Sequence, residues 1–340
     1  MFQRGLIRPG LAAAAVLTTI SALGLTPGSG HAATRPAQAP TSGLTVYTEP
    51  DAGFSWLYNQ INDATTSIDM TMYELSDTTA EGDLAAAEAR GVDVKVILDG
   101  REQATNEAAY NYLSEHGVGV AWSWDQYYYT HEKSIVFDDS TADVMTLNLT
   151  SEYYSTSRDF AVVDSDAGDV AAIVKVFTAD YAHDAITPAA GDDLVWSPTT
   201  AQADLLGVIN GAQHSLQVFS EEMGDASVVD ALCGAARNGV DVQVVGENED
   251  GDYDSAYDRL AGCGVKISYY SSSTGFYIHG KAILADYGQS SARIFIGSQN
   301  FSKTSLTENR ELGLIINDQS IESSVNATFD SDFAGGTSWG

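Results

Sequence analysis

Residues 84–97 read LAAAEARGVDVKVI, and residues 232–245 read LCGAARNGVDVQVV. The tetrapeptide GVDV returns after an offset of 148 residues, and the segments before it match as well. Residues 61–75 read INDATTSIDMTMYEL, whereas residues 209–223 read INGAQHSLQVFSEEM. Because self-similarity at a fixed period indicates a duplicated structural unit, the sequence predicts two related halves.

The predicted halves span residues 44–190 and 191–340, with their boundary in the Pro-, Gly- and Asp-rich stretch 187–198. Each half alternates amphipathic helical stretches, such as 53–66 and 79–91, with short apolar runs that indicate strands. The predicted strands are 67–73, 92–98, 133–137 and 143–149, then 215–220, 240–245, 281–285 and 293–296. This alternation is typical of an α/β fold, in which helices cover a parallel or mixed sheet. We expect the halves to pack about a pseudo-two-fold axis.

The charge balance restricts the function classes. The chain has 16 Lys+Arg against 47 Asp+Glu, a formal net charge of −31. Nucleic acids and anionic membranes are bound largely through basic residues, so a general nucleic-acid binder is not expected. A local site for one phosphodiester is still compatible with this charge, because ions screen distant charges. The hydrophobic content of 44 % excludes global disorder.

The N-terminal region has the features of a secretory signal peptide. Arg4 and Arg8 precede an apolar run from residue 11 to about residue 25, and small residues follow up to Ala33. The alternative is a membrane anchor, but a spanning helix needs about 20 apolar residues. We therefore predict a signal peptide at residues 1–33, a leader at 34–43, and a secreted, extracellular protein.

The two cysteines fit this compartment. Cys233 and Cys263 are the only cysteines, and exported proteins reach an oxidising environment in which such a pair can form a disulfide. We expect this bridge, with two buried thiols as the alternative. Neither cysteine has the spacing of a metal site.

Each half contains one copy of the pattern H-x-K-x4-D, as HEKSIVFD at 131–138 and HGKAILAD at 279–286. The two copies are separated by the offset of the repeat, which makes a chance match improbable. Alternate residues of a strand project from the same face, so His131 and Lys133 are expected to point into one site. His279 and Lys281 form the corresponding pair.

Further polar residues follow each motif. They are Thr146, Asn148 and Asp159 in the first half and Ser298, Asn300 and Glu311 in the second. Lysine and amide groups can hold the non-bridging oxygens of one phosphate and stabilise its transition-state charge. One imidazole can attack phosphorus while the other protonates the leaving oxygen, and the two acids can orient the imidazoles. No metal or other cofactor is required, because the lysines supply positive charge.

Other acidic residues have different expected roles. Asp138 and Asp286 follow strands and are expected to brace a turn rather than do chemistry. Glu74, Glu222 and Asp99 end predicted strands, where α/β clefts open, and are candidates to meet an amine headgroup.

This constellation resembles the phospholipase D superfamily, which is defined by paired HxKxxxxD motifs. The resemblance covers about residues 44–335 and implies two α/β/α sandwich halves with mixed sheets and the active site at their interface. It also implies a ping-pong reaction through a phosphohistidine, with His131 as nucleophile and His279 as general acid and then base. The residues that match its phosphate-binding positions are Lys133, Lys281, Asn148, Asn300, Thr146 and Ser298, and the supporting acids are Asp159 and Glu311.

The chain departs from the family pattern in three places. The G-[ST]-x-N sequence is intact at residues 297–300, but the first half reads Met145-Thr-Leu-Asn148. Asp159 replaces the usual glutamate, and the second half has four more residues between the histidine and the asparagine. Met145 puts the size of the substrate in doubt more than the catalysis.

These observations favour a secreted phospholipase D-type phosphodiesterase that hydrolyses phospholipid headgroups, with transphosphatidylation as a further activity. Its substrate would be a phospholipid at a membrane or micelle surface, and its acceptor water or an alcohol. A secreted nuclease and a cardiolipin-synthase-like phosphatidyltransferase of the same superfamily are the alternatives, with a non-catalytic phosphate-binding protein as a third. We expect no nucleic-acid partner and no obligate protein partner, hence a monomer.

Overall fold

Two mixed sheets of eight strands each form the centre of the computed structural model, which describes residues 43–340. The predicted signal peptide, at residues 1–33, and the predicted leader up to residue 42 lie outside the described residues. Within that described range, no helix is long and apolar enough to cross a membrane.

The first half contains seven strands and four helices. Its elements are β1 (Thr45–Glu49), α1 (Ser55–Asp63), β2 (Ser67–Met72), α2 (Thr78–Arg90), β3 (Asp93–Leu98), α3 (Gln103–Glu115), β4 (Gly119–Trp122), β5 (Lys133–Phe137), β6 (Thr141–Met145), β7 (Ser157–Asp164) and α4 (Ala167–Tyr181).

The second half repeats this arrangement with additions. Its elements are β8 (Leu194–Ser197), α5 (Ala201–Gly211), β9 (Ser215–Ser220), α6 (Ala226–Arg237), β10 (Asp241–Glu247), α7 (Asp254–Gly262), β11 (Lys266–Tyr270), β12 (Tyr277–Ile278), β13 (Ala282–Ala285), β14 (Arg293–Gly297), α8 (Lys303–Thr307), β15 (Glu311–Ile316), α9 (Gln319–Gly335) and β16 (Thr337–Ser338).

The sheet order confirms the predicted α/β fold with mixed sheets. The first sheet runs β1-β7-β6-β5-β2-β3-β4, and the second runs β16-β11-β10-β9-β13-β14-β15-β8. Strands β2, β3 and β4 are parallel, as are β9, β10 and β11, whereas β5 and β13 run antiparallel to their neighbours. In each sheet, the strand that follows the His-x-Lys motif is therefore central.

Three apolar clusters hold the layers together. One contains residues of both sheets together with α4 and α9, and this cluster joins the two halves. The other two pack α1, α2 and α3 on the outer face of the first sheet and α5, α6 and α7 on the outer face of the second. Burial of apolar surface on both faces explains why the central strands are almost continuously apolar.

Repeated capping residues explain the local fold. Asp77 begins α2 by accepting hydrogen bonds from the backbone N–H groups of the first turn, and Asp225 does the same for α6. After each helix, Gly91 and Gly239 adopt φ angles of 95° and 93°, which side-chain-bearing residues rarely adopt. The glycine of each GVDV repeat is thus required to end a helix before a strand.

The aspartate of each HxKxxxxD motif braces a turn, as predicted. The Asp138 carboxylate accepts hydrogen bonds from the backbone N–H groups of Thr65, Thr66 and Ser67, at the start of β2. Asp286 accepts the corresponding bonds in front of β9. Although partial burial raises the pKa of Asp138, these N–H donors outweigh it and hold the pKa well below its usual range.

The predicted disulfide is present, because Cys233 of α6 is bonded to Cys263, which directly follows α7. Other details differ from the prediction. The end of the predicted boundary stretch forms β8, which pairs with β15. Strand β12 of the second half pairs with β7 of the first, so the chain crosses between the sheets beside the second motif.

Candidate active site

Both motif histidines lie outside the strands, which corrects the expectation that each His-x-Lys segment is part of a strand. Strand β5 begins at Lys133, after the histidine, and β13 begins after Lys281. The backbone N–H of His131 donates to the Arg310 carbonyl oxygen at 2.9 Å, and that of Gly280 donates to the Arg158 carbonyl oxygen at 2.7 Å. The opposite half therefore fixes the backbone of each segment at or next to its histidine.

Two buried arginines stabilise these crossing points. Arg310 is fully buried, with its Nε 2.8 Å from Asp180 Oδ2 and its guanidinium over the Tyr127 ring. Arg158 contacts the Asp332 carboxylate, with Nε 2.7 Å from Oδ2. A buried guanidinium needs such a partner, because an unpaired buried charge is costly. Both arginines directly precede an acid that contacts a histidine.

Each histidine is oriented by the acid of the other half. His131 Nδ1 lies 2.9 Å from Glu311 Oε2, and His279 Nδ1 lies 2.7 Å from Asp159 Oδ1. With a carboxylate at Nδ1, the neutral ring has its proton there and a free lone pair at Nε2. The geometry therefore directs both Nε2 atoms to chemistry.

The two acids are themselves positioned by several donors. Ser305 Oγ and Asn309 Nδ2 donate to Glu311 Oε1, while Thr146 Oγ1 donates to Asp159 Oδ1 at 2.6 Å. Burial raises the pKa of both acids, but the partner histidine of each outweighs it and holds the pKa below its ordinary value. Both acids are thus carboxylates at neutral pH.

The two histidines share one electrostatic environment with the two lysines. Burial, followed by the charge of Lys133, lowers the pKa of His131 to about 4. Burial, followed by the charge of Lys281, lowers the pKa of Lys133 to about 7. The His131 imidazole is therefore neutral at physiological pH, which a nucleophile requires.

The two lysines have different neighbours. Lys133 Nζ donates to the His131 carbonyl oxygen at 2.6 Å and lies 4.8 Å from the centre of the Tyr73 ring. Lys281 Nζ instead lies 2.6 Å from Glu221 Oε2. The same Glu221 oxygen is 3.7 Å from His279 Nε2. In the second half, a carboxylate thus occupies the space beside the reactive nitrogen.

One cavity of about 720 Å³ unites the reactive groups. His131, His279, Asn148, Asn300 and Asp159 all line it. Its walls add carboxylates and aromatic rings, contributed by Glu49, Glu74, Glu221, Glu222, Phe54, Tyr73, Tyr153, Tyr154, Phe276 and Tyr277. The volume is in the range of small-molecule sites. Glu74 and Glu222, which the sequence predicts at the cleft, both line this cavity.

Five of the expected contact residues are not among the described residues that line the cavity. Lys133 and Lys281 are buried, and the other three have different partners. Thr146 and Ser298 are fully buried, and among the described residues neither lines the cavity. Thr146 supports Asp159, whereas the Ser298 hydroxyl bonds the backbone of Leu312. Asp99 is also buried, and it accepts the backbone N–H of Thr130 instead of facing the cleft.

Some site residues were not identified from the sequence. Glu221 and Tyr73 occupy equivalent positions of the repeat, in SEEM at 220–223 and MYEL at 72–75, and this difference between matched segments was a usable signal. Glu247 is the counterpart of Asp99 and accepts the backbone N–H of Ile278, just before His279. Each half therefore fixes the backbone in front of its histidine with a carboxylate at the end of a strand.

Comparison with known families agrees with this geometry. The family described as "Cardiolipin synthase, PLD-like domain" matches residues 57–181 and 205–333, one segment in each half. The chain belongs to this family. It is thus a member of the phospholipase D superfamily, whose enzymes act on phosphodiester bonds. None of the curated proteins compared with the chain matches it.

Solved structures share the fold at low sequence identity. Polyphosphate kinase from Porphyromonas gingivalis matches with a TM-score of 0.69 and 13 % identity, over 84 % of this chain and 46 % of its own. The chain therefore spans under half of that kinase. Phosphatidylserine synthase from Haemophilus influenzae matches with a TM-score of 0.65 and 12 % identity, over 87 % of both chains. Nuc from Salmonella typhimurium, a phospholipase D family member, matches 43 % of this chain and 99 % of its own, with 23 % identity and a TM-score of 0.40.

Proposed function

We propose that this protein is an exported phospholipase D-type enzyme. It cleaves the phosphodiester between the phosphatidyl group and the headgroup alcohol, and transfers the phosphatidyl group to water or to another alcohol. The observation that carries this proposal is the single cavity lined by both histidines, each with an opposite-half carboxylate at Nδ1.

In the first step, the lone pair of His131 Nε2 attacks phosphorus, and the bond from phosphorus to the headgroup oxygen breaks. The Nε2 proton of His279 goes to that oxygen, so the headgroup leaves with a hydroxyl group and not as an alkoxide. The neutral state of His131 favours it as the nucleophile. His279 takes the role of the acid, with its Nδ1 2.7 Å from Asp159 Oδ1 and its Nε2 directed into the cavity.

In the second step, His279 Nε2 takes a proton from water or an alcohol, whose oxygen then attacks phosphorus. The bond between phosphorus and His131 Nε2 breaks, and both histidines return to their starting states. Water gives a phosphate monoester, and an alcohol gives a new diester. Lys133, Lys281, Asn148 and Asn300 stabilise the phosphoryl oxygens in both steps.

The walls of the cavity favour a lipid over a nucleic acid. Four glutamates are among its lining residues, whereas within residues 43–340 no arginine or lysine is. The buried motif lysines, Lys133 and Lys281, can serve only the one phosphate position next to the histidines. Nucleic-acid sites depend on basic residues that contact successive phosphates. The aromatic rings Phe54, Tyr154 and Phe276 instead provide apolar surface near the phosphate position.

A second candidate is a phosphatidyltransferase that uses an alcohol acceptor in preference to water. The family description as cardiolipin synthase favours it. The two candidates share the first step and differ only in the second acceptor.

We further propose that the protein is exported and works as a monomer. The predicted signal peptide at residues 1–33 and the disulfide between Cys233 and Cys263 support export. Because one chain contains both His-x-Lys segments and both acids, it needs no second copy to complete the cavity.

The test is a release assay with the purified chain in EDTA. Phosphatidylcholine vesicles, phosphatidylethanolamine vesicles and single-stranded DNA are offered in parallel, with and without glycerol as acceptor. We expect headgroup release that His131→Ala and His279→Ala each abolish. Product analysis separates hydrolysis from transfer, since transfer gives phosphatidylglycerol. DNA cleavage without headgroup release would refute the proposal and favour a nuclease.

A further inference from the structure

The two halves differ at one position next to the reactive groups. Tyr73 and Glu221 are equivalent in the repeat, and each contacts the motif lysine of its own half. In the first half, Lys133 faces an aromatic ring, and among the described residues no carboxylate forms an ion pair with it. In the second half, the Lys281 ammonium is neutralised by a carboxylate.

Glu221 is held in place by three groups. Its Oε2 lies 2.6 Å from Lys281 Nζ and 3.7 Å from His279 Nε2, and the Tyr277 hydroxyl donates to Oε1 at 2.9 Å. Although burial raises the pKa of Glu221, Lys281 and His279 outweigh it and hold the pKa well below its usual range. By contrast, burial raises the pKa of the neighbouring Glu222.

We propose that Glu221 is a specificity-determining residue that takes one anion position beside Lys281 and His279, so that the site accepts a monoanionic phosphodiester and disfavours a dianionic phosphate monoester. This inference rests on the proposed function, because it concerns the substrate and product of that reaction. The role in specificity explains why a cavity that binds an anionic phosphate contains the Glu221 carboxylate, although this carboxylate by itself weakens anion binding.

The two competing ligands differ in their negative charge. A phosphodiester has one negative charge, whereas a phosphate monoester has about 1.5 to 2 at pH 7. Repulsion from a fixed carboxylate is proportional to the charge of the ligand, so Glu221 penalises the monoester about twice as strongly on a logarithmic scale. Hydrolysis converts a diester into a monoester, and Glu221 would therefore promote release of the product.

The test measures binding without turnover. Methyl phosphate and dimethyl phosphate are titrated calorimetrically into the purified chain at pH 8 and constant ionic strength. The variants are Glu221→Gln, which keeps the shape of the side chain but removes its charge, and Glu222→Gln as a control in the same cavity. Thermal unfolding checks the fold of each variant.

For Glu221→Gln we expect methyl phosphate to bind at least about tenfold more tightly and dimethyl phosphate about threefold, because the gain follows the ligand charge. For Glu222→Gln we expect a change below about twofold for both ligands, because among the described residues the ion pairs with Lys281 and His279 are made by Glu221 and not by Glu222. If Glu221→Gln does not fold, Glu221→Asp withdraws the carboxylate by one methylene and should shift the ratio in the same direction.

An unchanged ratio of the two affinities would overturn the inference. So would an equal shift in Glu222→Gln, which would indicate general cavity charge, or an absence of methyl phosphate binding to Glu221→Gln. The proposed function fails separately, because it is measured as headgroup release. A shifted ratio without headgroup release would keep the role of Glu221 and reject the phospholipid substrate.

Discussion

Glu311→Gln is expected to lower kcat by about a thousandfold, although Glu311 lies in the half opposite to the histidine it contacts. The carboxylate is fully buried, and its Oε2 is 2.9 Å from His131 Nδ1. Formation of the phosphohistidine places positive charge on this ring. A carboxylate at about 4 Å stabilises such a charge by about 4 kcal/mol at an effective dielectric constant of 20. Since each 1.36 kcal/mol is a factor of ten, the loss is about 10³-fold.

The glutamine also changes the tautomer. Ser305 Oγ and Asn309 Nδ2 both donate to Glu311 Oε1, so a glutamine would place its oxygen toward these two donors. Its amide N–H then faces His131 Nδ1, which must accept, and the ring proton moves to Nε2. This removes the lone pair that attacks phosphorus. The same tautomer argument applies to Ser-His-Asp enzymes, in which the amide variant loses about 10⁴ in kcat.

Two measurements check this reasoning. The first is kcat for headgroup release at saturating substrate, with Asp159→Asn as the matched variant in the other half. The second is the side-chain ¹⁵N–¹H NMR spectrum of the histidines. We expect Glu311→Gln to change the tautomer signals of His131 alone, and Asp159→Asn to change those of His279 alone. A loss of kcat below tenfold, or tautomer changes within the same half, would refute the reciprocal support.

Three further outcomes follow from buried groups. Asp143→Asn should stabilise the protein relative to wild type more at pH 8 than at pH 4. Burial raises the pKa of Asp143 to about 7, so the wild-type protein loses up to about 4 kcal/mol of stability as the pH rises from about 4 to 7. Urea unfolding of both proteins at the two pH values measures this difference. An equal effect at both pH values would contradict this. In the pH profile of kcat/KM we expect a decrease below about pH 4, where His131 gains a proton. We expect a second decrease above about pH 7, where Lys133 loses its charge. A profile that stays flat to pH 9 would contradict the role of the Lys133 charge. Replacing Cys233 and Cys263 by serine should cost about 3–4 kcal/mol, since the bridge closes a loop with a sequence separation of 30. Unchanged thermal unfolding would exclude that contribution.

The sequence was sufficient for the fold and for the residue types of the site. The repeat and the paired motifs predict two α/β halves, and a helix end such as Gly91 follows from local turn chemistry. These features depend on neighbours close in the chain or on the duplication itself. Sequence reasoning is strongest for such features.

The contacts between the halves could not be predicted in the same way. Asp159 and Glu311 follow their motifs at similar distances, so the sequence does not indicate which histidine each acid contacts. The backbone bond from His131 to Arg310 joins residues 179 positions apart, and it fixes His131 in front of the first residue of β5. The placement of Thr146 below the cavity likewise depends on its bond to Asp159, which no periodicity encodes.

The reciprocal arrangement has a physical basis in the way the two sheets pack. The start of β7 and the segment before β15 lie at the interface between the halves, and each makes a backbone contact with the motif of the opposite half. Each acid directly follows the arginine whose carbonyl oxygen fixes that motif, so a single crossing segment sets both the backbone and the side-chain orientation of one histidine. A displacement of one half relative to the other would therefore disturb both imidazoles together. Because carboxylate support falls off steeply with hydrogen-bond distance, the reactivity of this site depends on the apolar core between the sheets as directly as on the histidines themselves.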